Sequence, residues 1–127
     1  MIDHFGINVS DFERSKAFYE HCLKPLGHSF VFRVPLEQTG GVKVGGFGKD
    51  RAGFWINECN VKPQPLHFAF SAENRAQVDA FYEAALVAGG SDNGGPGLRT
   101  HYHAHYYGAF VLDPDGNNIE AVCHKAP

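Results

Sequence analysis

Apolar and polar side chains alternate over residues 2–9, which predicts a strand with one buried face. Apolar residues then recur at helical spacing, and Ser10 followed by Glu13 matches a capping box at the start of that helix. Pro25 and Gly27 predict its end. Shorter strands are expected after the helix, at residues 28–34, 42–47 and 53–57.

The same plan then repeats along the chain. His4-Phe5 recurs as His67-Phe68, and the run AFYE at residues 17–20 recurs at residues 80–83, the same separation of 63 residues. The second copy ends in two expected strands, residues 106–112 and 117–123, around a turn at residues 113–116. The repeat predicts one domain, residues 1–127, made of two modules with one helix and about four strands each. The modules cover residues 1–60 and 65–124, and residues 61–65 link them.

Composition limits the classes of function. A net charge of −3 over 127 residues, with no basic cluster, argues against a nucleic-acid partner. No apolar run is long enough to span a bilayer, and we find no signal segment, so we expect a cytoplasmic protein. The three cysteines have no paired spacing, which favours free thiols over disulfides. The eight histidines are the unusual count.

Histidine repeats in equivalent strands indicate a metal site. If the helices cover the apolar face of each sheet, His4 and His67 both lie on the other face, away from the helices. The two histidines would then meet if the two sheets close around each other. Glu120, in the last strand, would add a carboxylate and complete a facial set for a divalent ion. The alternatives are two hydrogen-bonded strand histidines, and a Glu120 paired with Arg33 or Arg99.

Further candidates line the expected cavity. Residues 99–107 carry alternating histidines, from which His105 and Tyr107 are candidates for proton transfer. Arg99 could bind an anionic group of a substrate through its planar guanidinium. Trp55 and Asn57 are expected to line the cavity and contact the substrate.

Three motifs carry a resemblance to a known family. The segments HFGINVSD at residues 4–11, LHFAF at residues 66–70 and FVLDPDGNNIE at residues 110–120 resemble the vicinal oxygen chelate superfamily. This group includes glyoxalase I, extradiol dioxygenases, fosfomycin-resistance enzymes and bleomycin-resistance proteins. The resemblance implies an α+β fold of two tandem βαβββ modules, which form a cupped eight-stranded mixed sheet with the helices on its outer face. It also implies a homodimer and a divalent ion (Fe, Mn, Ni or Zn) held by the residues His4, His67 and Glu120.

The resemblance leaves the reaction open. Glyoxalase I carries a second glutamate where Asn57 or Trp55 stands here, which argues against glyoxalase chemistry. The first hypothesis is a metal-dependent enzyme (a lyase, a dioxygenase or a thiol transferase) acting on a small molecule chelated through adjacent oxygens. The second is a non-catalytic binding protein of the bleomycin-resistance type, and the third is a module that keeps a metal only for structure. The sequence also leaves open whether one chain or two complete the site.

Overall fold

A computed structural model describes residues 1–127. The helices are α1 (Phe12–Leu23) and α2 (Arg75–Val87). The strands of the first module are β1 (Phe5–Val9), β2 (Ser29–Arg33), β3 (Val44–Gly48) and β4 (Ala52–Glu58). The second module has β5 (His67–Ser71), β6 (Ser91–Asp92), β7 (Gly97–Leu98), β8 (Tyr107–Leu112) and β9 (Asn118–Cys123). The expected elements are present, but β1 begins at Phe5 and not at residue 2, so His4 lies outside the strand. The short strands β6 and β7 are additional. Neither helix is long and apolar enough to cross a membrane.

The strands form two mixed sheets with the same plan. The first sheet has the order β1-β4-β3-β2, and β1 runs parallel to β4. The second has the order β5-β9-β8-β6, with β7 also paired to β8, and β5 runs parallel to β9. The first strand of each module therefore lies beside its last strand, which confirms the α+β class and the repeated module.

Both helices lie between the two sheets. α1 packs against β2 and β4, α2 packs against β8 and β9, and the helices pack against each other. The strand faces on this side also meet directly, since the rings of Phe5 and Phe68 lie 5.3 Å apart. The helix-free faces of the two sheets therefore point away from each other. A single chain forms sheets of four and five strands rather than one eight-stranded cup.

The start of α1 differs from the expected capping box. Asp11, not Ser10, is the N-cap residue, and its carboxylate accepts a hydrogen bond from the Arg14 amide at 3.1 Å. Ser10 instead donates its amide, at 3.1 Å, and its hydroxyl to the Asp115 carboxylate. A short carboxylate at the next position can cap the helix equally well, which leaves the serine free for this contact. α2 begins as expected, with Asn74 as its N-cap residue.

The turn between β8 and β9 holds the two modules together. The Asp113 carboxylate accepts hydrogen bonds from the amides of Asp115 and Asn117, both at 2.9 Å, and from the Asn117 side chain at 2.8 Å. It also accepts the hydroxyl of Tyr19, a fully buried residue of α1. Burial, and secondly the Asp113 charge, raise the pKa of Tyr19, so its hydroxyl stays protonated and continues to donate. The turn thus fixes α1 of the first module to the last hairpin of the second.

Candidate metal centre

Glu120 is the buried acidic residue of the helix-free face of the second sheet. It lies in β9, between Ala69 of β5 and Phe110 of β8. Its neighbours in β9, Ile119 and Ala121, belong to the hydrophobic core, so alternation along the strand turns Glu120 to the other face. The residue is only 2% exposed, and a buried carboxylate requires polar partners or a cation.

His67 lies beside this carboxylate in a defined orientation. Its Nδ1 is 2.9 Å from the Asn118 carbonyl oxygen, which can only accept, so Nδ1 carries the proton and donates. In the neutral ring Nε2 therefore has the free lone pair, and this atom lies 3.6 Å from Glu120 Oε1. A backbone acceptor on the far nitrogen is the usual means of orienting a metal-binding histidine.

Tyr106 holds the other oxygen of Glu120. Its hydroxyl donates to Oε2, while its pKa is raised by burial first and by this carboxylate second. Tyr106 was not singled out from the sequence. Continuing the alternation of β8 backwards from Phe110 through Gly108 to Tyr106 would have placed it on the Glu120 face.

An aromatic ring and a cation border the pair. The ring of Phe110 stacks on His67 with 6.3 Å between centroids, and the Arg99 guanidinium lies over the same ring at 5.5 Å. Arg99 donates to the Gly95 carbonyl at 2.8 Å and has no carboxylate partner. Arg33 pairs with Glu13 at 3.2 Å. Neither arginine that was considered as a salt-bridge partner contacts Glu120.

His4 lies apart from this group. Its Nδ1 is 2.7 Å from Asp3 Oδ1, and its side chain is 63% exposed. It precedes β1 of the first sheet, whose helix-free face points away from that of the second. Within one chain, no three His, Cys, Asp or Glu side chains converge as a ligand set.

The other candidates from the sequence are divided among three places. Trp55 and Asn57 lie in β4, where they pair with Gly6 and Asn8 of β1. They therefore belong to the first sheet, and His4 lies just before its strand β1. Tyr107 lies on the helix side of β8, where its hydroxyl donates to Asp79 of α2 at 2.7 Å. His105 is exposed in the loop before β8. The structure therefore brings together His67, Glu120 and Arg99, and it adds Tyr106 and Phe110 to them.

The donor atoms suit a divalent ion. Imidazole nitrogen and carboxylate oxygen bind zinc at about 2.0–2.2 Å, so two such donors on one ion lie about 3–4 Å apart. The separation of 3.6 Å between His67 Nε2 and Glu120 Oε1 falls in this range. A catalytic zinc site commonly takes three protein ligands, and one chain supplies two of them here.

The fold defines a protein made of paired βαβββ modules, and comparison with known proteins identifies its family. The model of the Glyoxalase/Bleomycin resistance protein/Dioxygenase superfamily matches residues 1–121, so the chain belongs to this superfamily.

Individual relatives agree with this assignment. Metallothiol transferase FosB of Shouchella clausii (strain KSM-K16) is 27% identical over 130 aligned positions, covering 94% of this chain and 77% of that protein. A glyoxalase/bleomycin resistance protein from Albidiferax ferrireducens T118 superposes with a TM-score of 0.71 at 26% identity, over 97% of this chain and 98% of that one. A mutant of the fosfomycin resistance protein FosX from Listeria monocytogenes, complexed with Mn(II) and 1S,2S-dihydroxypropylphosphonic acid, has a TM-score of 0.70 at 16% identity. That match covers 96% of this chain and 90% of FosX, and it shows the shared fold alone.

Proposed function

We propose that this protein is a metal-dependent enzyme that acts on a small molecule chelated through adjacent oxygens, with thiol transfer as its reaction. The observation that carries the proposal is the pairing of the buried Glu120 carboxylate with the lone-pair nitrogen of His67 at 3.6 Å. With the neutral His67 ring both atoms present lone pairs, and one cation bound between them would satisfy both. The name of the FosB relative, a metallothiol transferase, supports both the metal and the thiol.

The third ligand in this proposal is His4 of a second copy of the chain. In one chain His4 is exposed and bonded only to Asp3, while the helix-free sheet faces point apart. A symmetric dimer that places the first sheet of one copy against the second sheet of the other would bring His4 to the His67–Glu120 pair, twice. Trp55 and Asn57 belong to the same sheet, so they would enter the site with His4 and line it.

The side chains near the proposed ion would each contribute to binding the metal or the substrate. A divalent ion at this position would act as a Lewis acid on the substrate oxygens. The hydrogen bond from His67 Nδ1 to Asn118 holds the imidazole in one orientation, and Tyr106 holds the Glu120 carboxylate. Arg99 provides a guanidinium without a carboxylate partner for an anionic group of the substrate.

The proposed reaction adds a thiol to an electrophilic carbon. The thiolate sulfur forms a bond to that carbon, the carbon–oxygen bond breaks, and the released oxygen takes up a proton from solvent. Fosfomycin, which the FosX protein is named for resisting, is a suitable first electrophile to test with a panel of small thiols. We expect thiol consumption that depends on added metal, and no consumption by the Glu120→Gln variant.

Metal content is the first test of the site. We expect at least one divalent ion per chain in tag-free protein purified without chelator, and one ion per chain fewer in His67→Ala and Glu120→Ala. His21→Ala is the matched control, because His21 is an exposed histidine whose ring contacts only the Ala17 carbonyl. A protein that neither contains nor takes up metal would instead support the non-catalytic binding alternative.

Mixing two inactive variants tests whether the site is shared. His4→Ala and Glu120→Ala chains are each inactive alone under the proposal. After unfolding and refolding together, half of the dimers would be mixed, and each mixed dimer would have one intact site made of His4 from one copy and His67 and Glu120 from the other. We expect about one quarter of the wild-type metal content and activity to return. No recovery from a mixture that does form dimers would exclude the shared site.

A further inference from the structure

A second group of histidines lies outside the proposed metal centre. His103 in the loop before β8 and His124, which follows β9, meet with 2.7 Å between His103 Nε2 and His124 Nδ1. Their rings stack with centroids 4.9 Å apart, and both side chains are exposed. These two histidines have no role in the proposed function.

The hydrogen bonds assign the protons of the pair. The His105 amide donates to His103 Nδ1 at 3.3 Å, so the neutral His103 ring carries its proton on Nε2. That proton is donated to His124 Nδ1, which leaves the His124 proton on Nε2. The two facing nitrogens thus share one proton.

We infer that His103 and His124 form a second metal-binding site, which takes one zinc, nickel or copper ion between His103 Nε2 and His124 Nδ1. His124 already presents a lone pair at Nδ1 in the observed tautomer. His103 needs to move its proton from Nε2 to Nδ1, which gives up the long 3.3 Å contact with the His105 amide at an exposed position where water replaces it. The two exposed rings must also move apart slightly, because the facing nitrogens are 2.7 Å apart and two donors on one ion lie about 3–4 Å apart. Water completes the coordination. Two imidazoles and water, without a carboxylate, favour these metals over magnesium or manganese.

The site would join two segments next to the proposed metal centre. The Tyr106 ring lies 5.3 Å from both imidazole rings, and its hydroxyl contacts Glu120. An ion held by His103 and His124 would therefore fix the loop before β8 to the end of β9, on either side of the tyrosine that holds Glu120.

This site is tested by titrating the tag-free protein with zinc and measuring the heat of binding by calorimetry. We expect one zinc-binding event that remains in His67→Ala and is at least about 10-fold weaker in His103→Ala and in His124→Ala. Manganese should show no such event in His67→Ala. The control is again His21→Ala, which should bind zinc like the wild type. Because both substituted residues are exposed, circular dichroism should show unchanged folding.

The outcomes separate this inference from the proposed function. Absence of zinc binding in His67→Ala overturns the second site, and so does equal weakening by His21→Ala, which would indicate general binding to surface histidines. Zinc binding that depends on His103 and His124 supports the second site, even if His67 and Glu120 prove to bind no metal.

Discussion

The hydroxyl of Tyr106 donates to Oε2 of Glu120, while His67 Nε2 faces Oε1 of the same carboxylate. The two oxygens therefore differ in role: one is held by the protein and the other is directed towards the proposed metal. This division fixes the orientation of the carboxylate before any ligand arrives, so the tyrosine should matter for metal binding without being a ligand.

Removal of the Tyr106 hydroxyl should weaken metal binding. In Tyr106→Phe, Oε2 loses its donor and the carboxylate is free to rotate, so we expect metal affinity to fall by about 10- to 100-fold with the fold retained. Metal titration with circular dichroism measures both effects. Tyr107→Phe is the matched control, because the neighbouring hydroxyl bonds to Asp79 on the helix side of the sheet. Equal affinities for the two variants would contradict the assigned role of Tyr106.

A methyl group at Gly108 should disturb the same carboxylate. A Cβ at this position would lie 3.1 Å from Glu120 Oε2 and 3.2 Å from Tyr106 Cε1, closer than ordinary contact. Gly108→Ala should therefore displace the Tyr106–Glu120 pair and reduce metal content. Gly53→Ala is a suitable comparison, because a Cβ at this strand position meets nothing within 4 Å. Metal content per chain, measured for both variants, should fall only for Gly108→Ala.

The hydrogen bond between Tyr19 and Asp113 should contribute to stability. Tyr19→Phe leaves a buried carboxylate with one donor fewer, and we expect the free energy of unfolding to fall by about 1–3 kcal/mol. Denaturant unfolding measures the change. Tyr82→Phe removes an exposed tyrosine–aspartate hydrogen bond and should lower the free energy of unfolding by clearly less. A similar loss in both variants would show that burial of the Asp113 contact is unimportant.

His28 should make the protein less stable in mild acid. Burial first, and the Lys49 charge second, lower the pKa of His28 in the folded protein. The unfolded chain therefore binds a proton more readily, so this contribution to stability is present above about pH 6.5 and is lost as the pH falls through the folded pKa. Unfolding midpoints of the wild type should decrease more between pH 8 and pH 5 than those of His28→Gln. In His21→Gln, the exposed histidine control, the midpoints should follow the wild type.

Much of the fold could be predicted because alternation and repetition are local properties of the sequence. The buried faces of β1 and β5, the ends of both helices near glycine and the strands around the 113–116 turn all follow from the spacing of apolar and turn-forming residues. The direction in which the sheets face does not follow from such spacing. The direction of the sheets depends on the packing of α1 against α2, a tertiary contact that no pattern in the sequence predicts. This packing turns the helix-free faces apart, and so it separates His4 from His67.

The site could be predicted in part for the same reason. Alternation along β5 and β9 was enough to place His67 and Glu120 each on the helix-free face of its strand. The parallel pairing of the two strands, which brings these side chains together, was not predicted from the residues. Alternation counted back from Phe110 places Tyr106 on the Glu120 face and Tyr107 on the helix side, so the choice between these two tyrosines could also have been made from the sequence. The contact between His103 and His124 joins a loop to the residue after a strand, and no periodicity relates two such positions.

The turn at Asp113 also links residues that are made at opposite ends of the chain's synthesis. Tyr19 and Ser10 are made early, yet their acceptors, Asp113 and Asp115, leave the ribosome roughly one hundred residues later. Until then the buried hydroxyl of Tyr19 has no partner, and α1 lacks its attachment to the second module. Domains commonly complete folding from the N-terminus while translation continues. The N-terminal module gains these contacts only once the last hairpin has been made, so we expect the two modules to reach their full stability together.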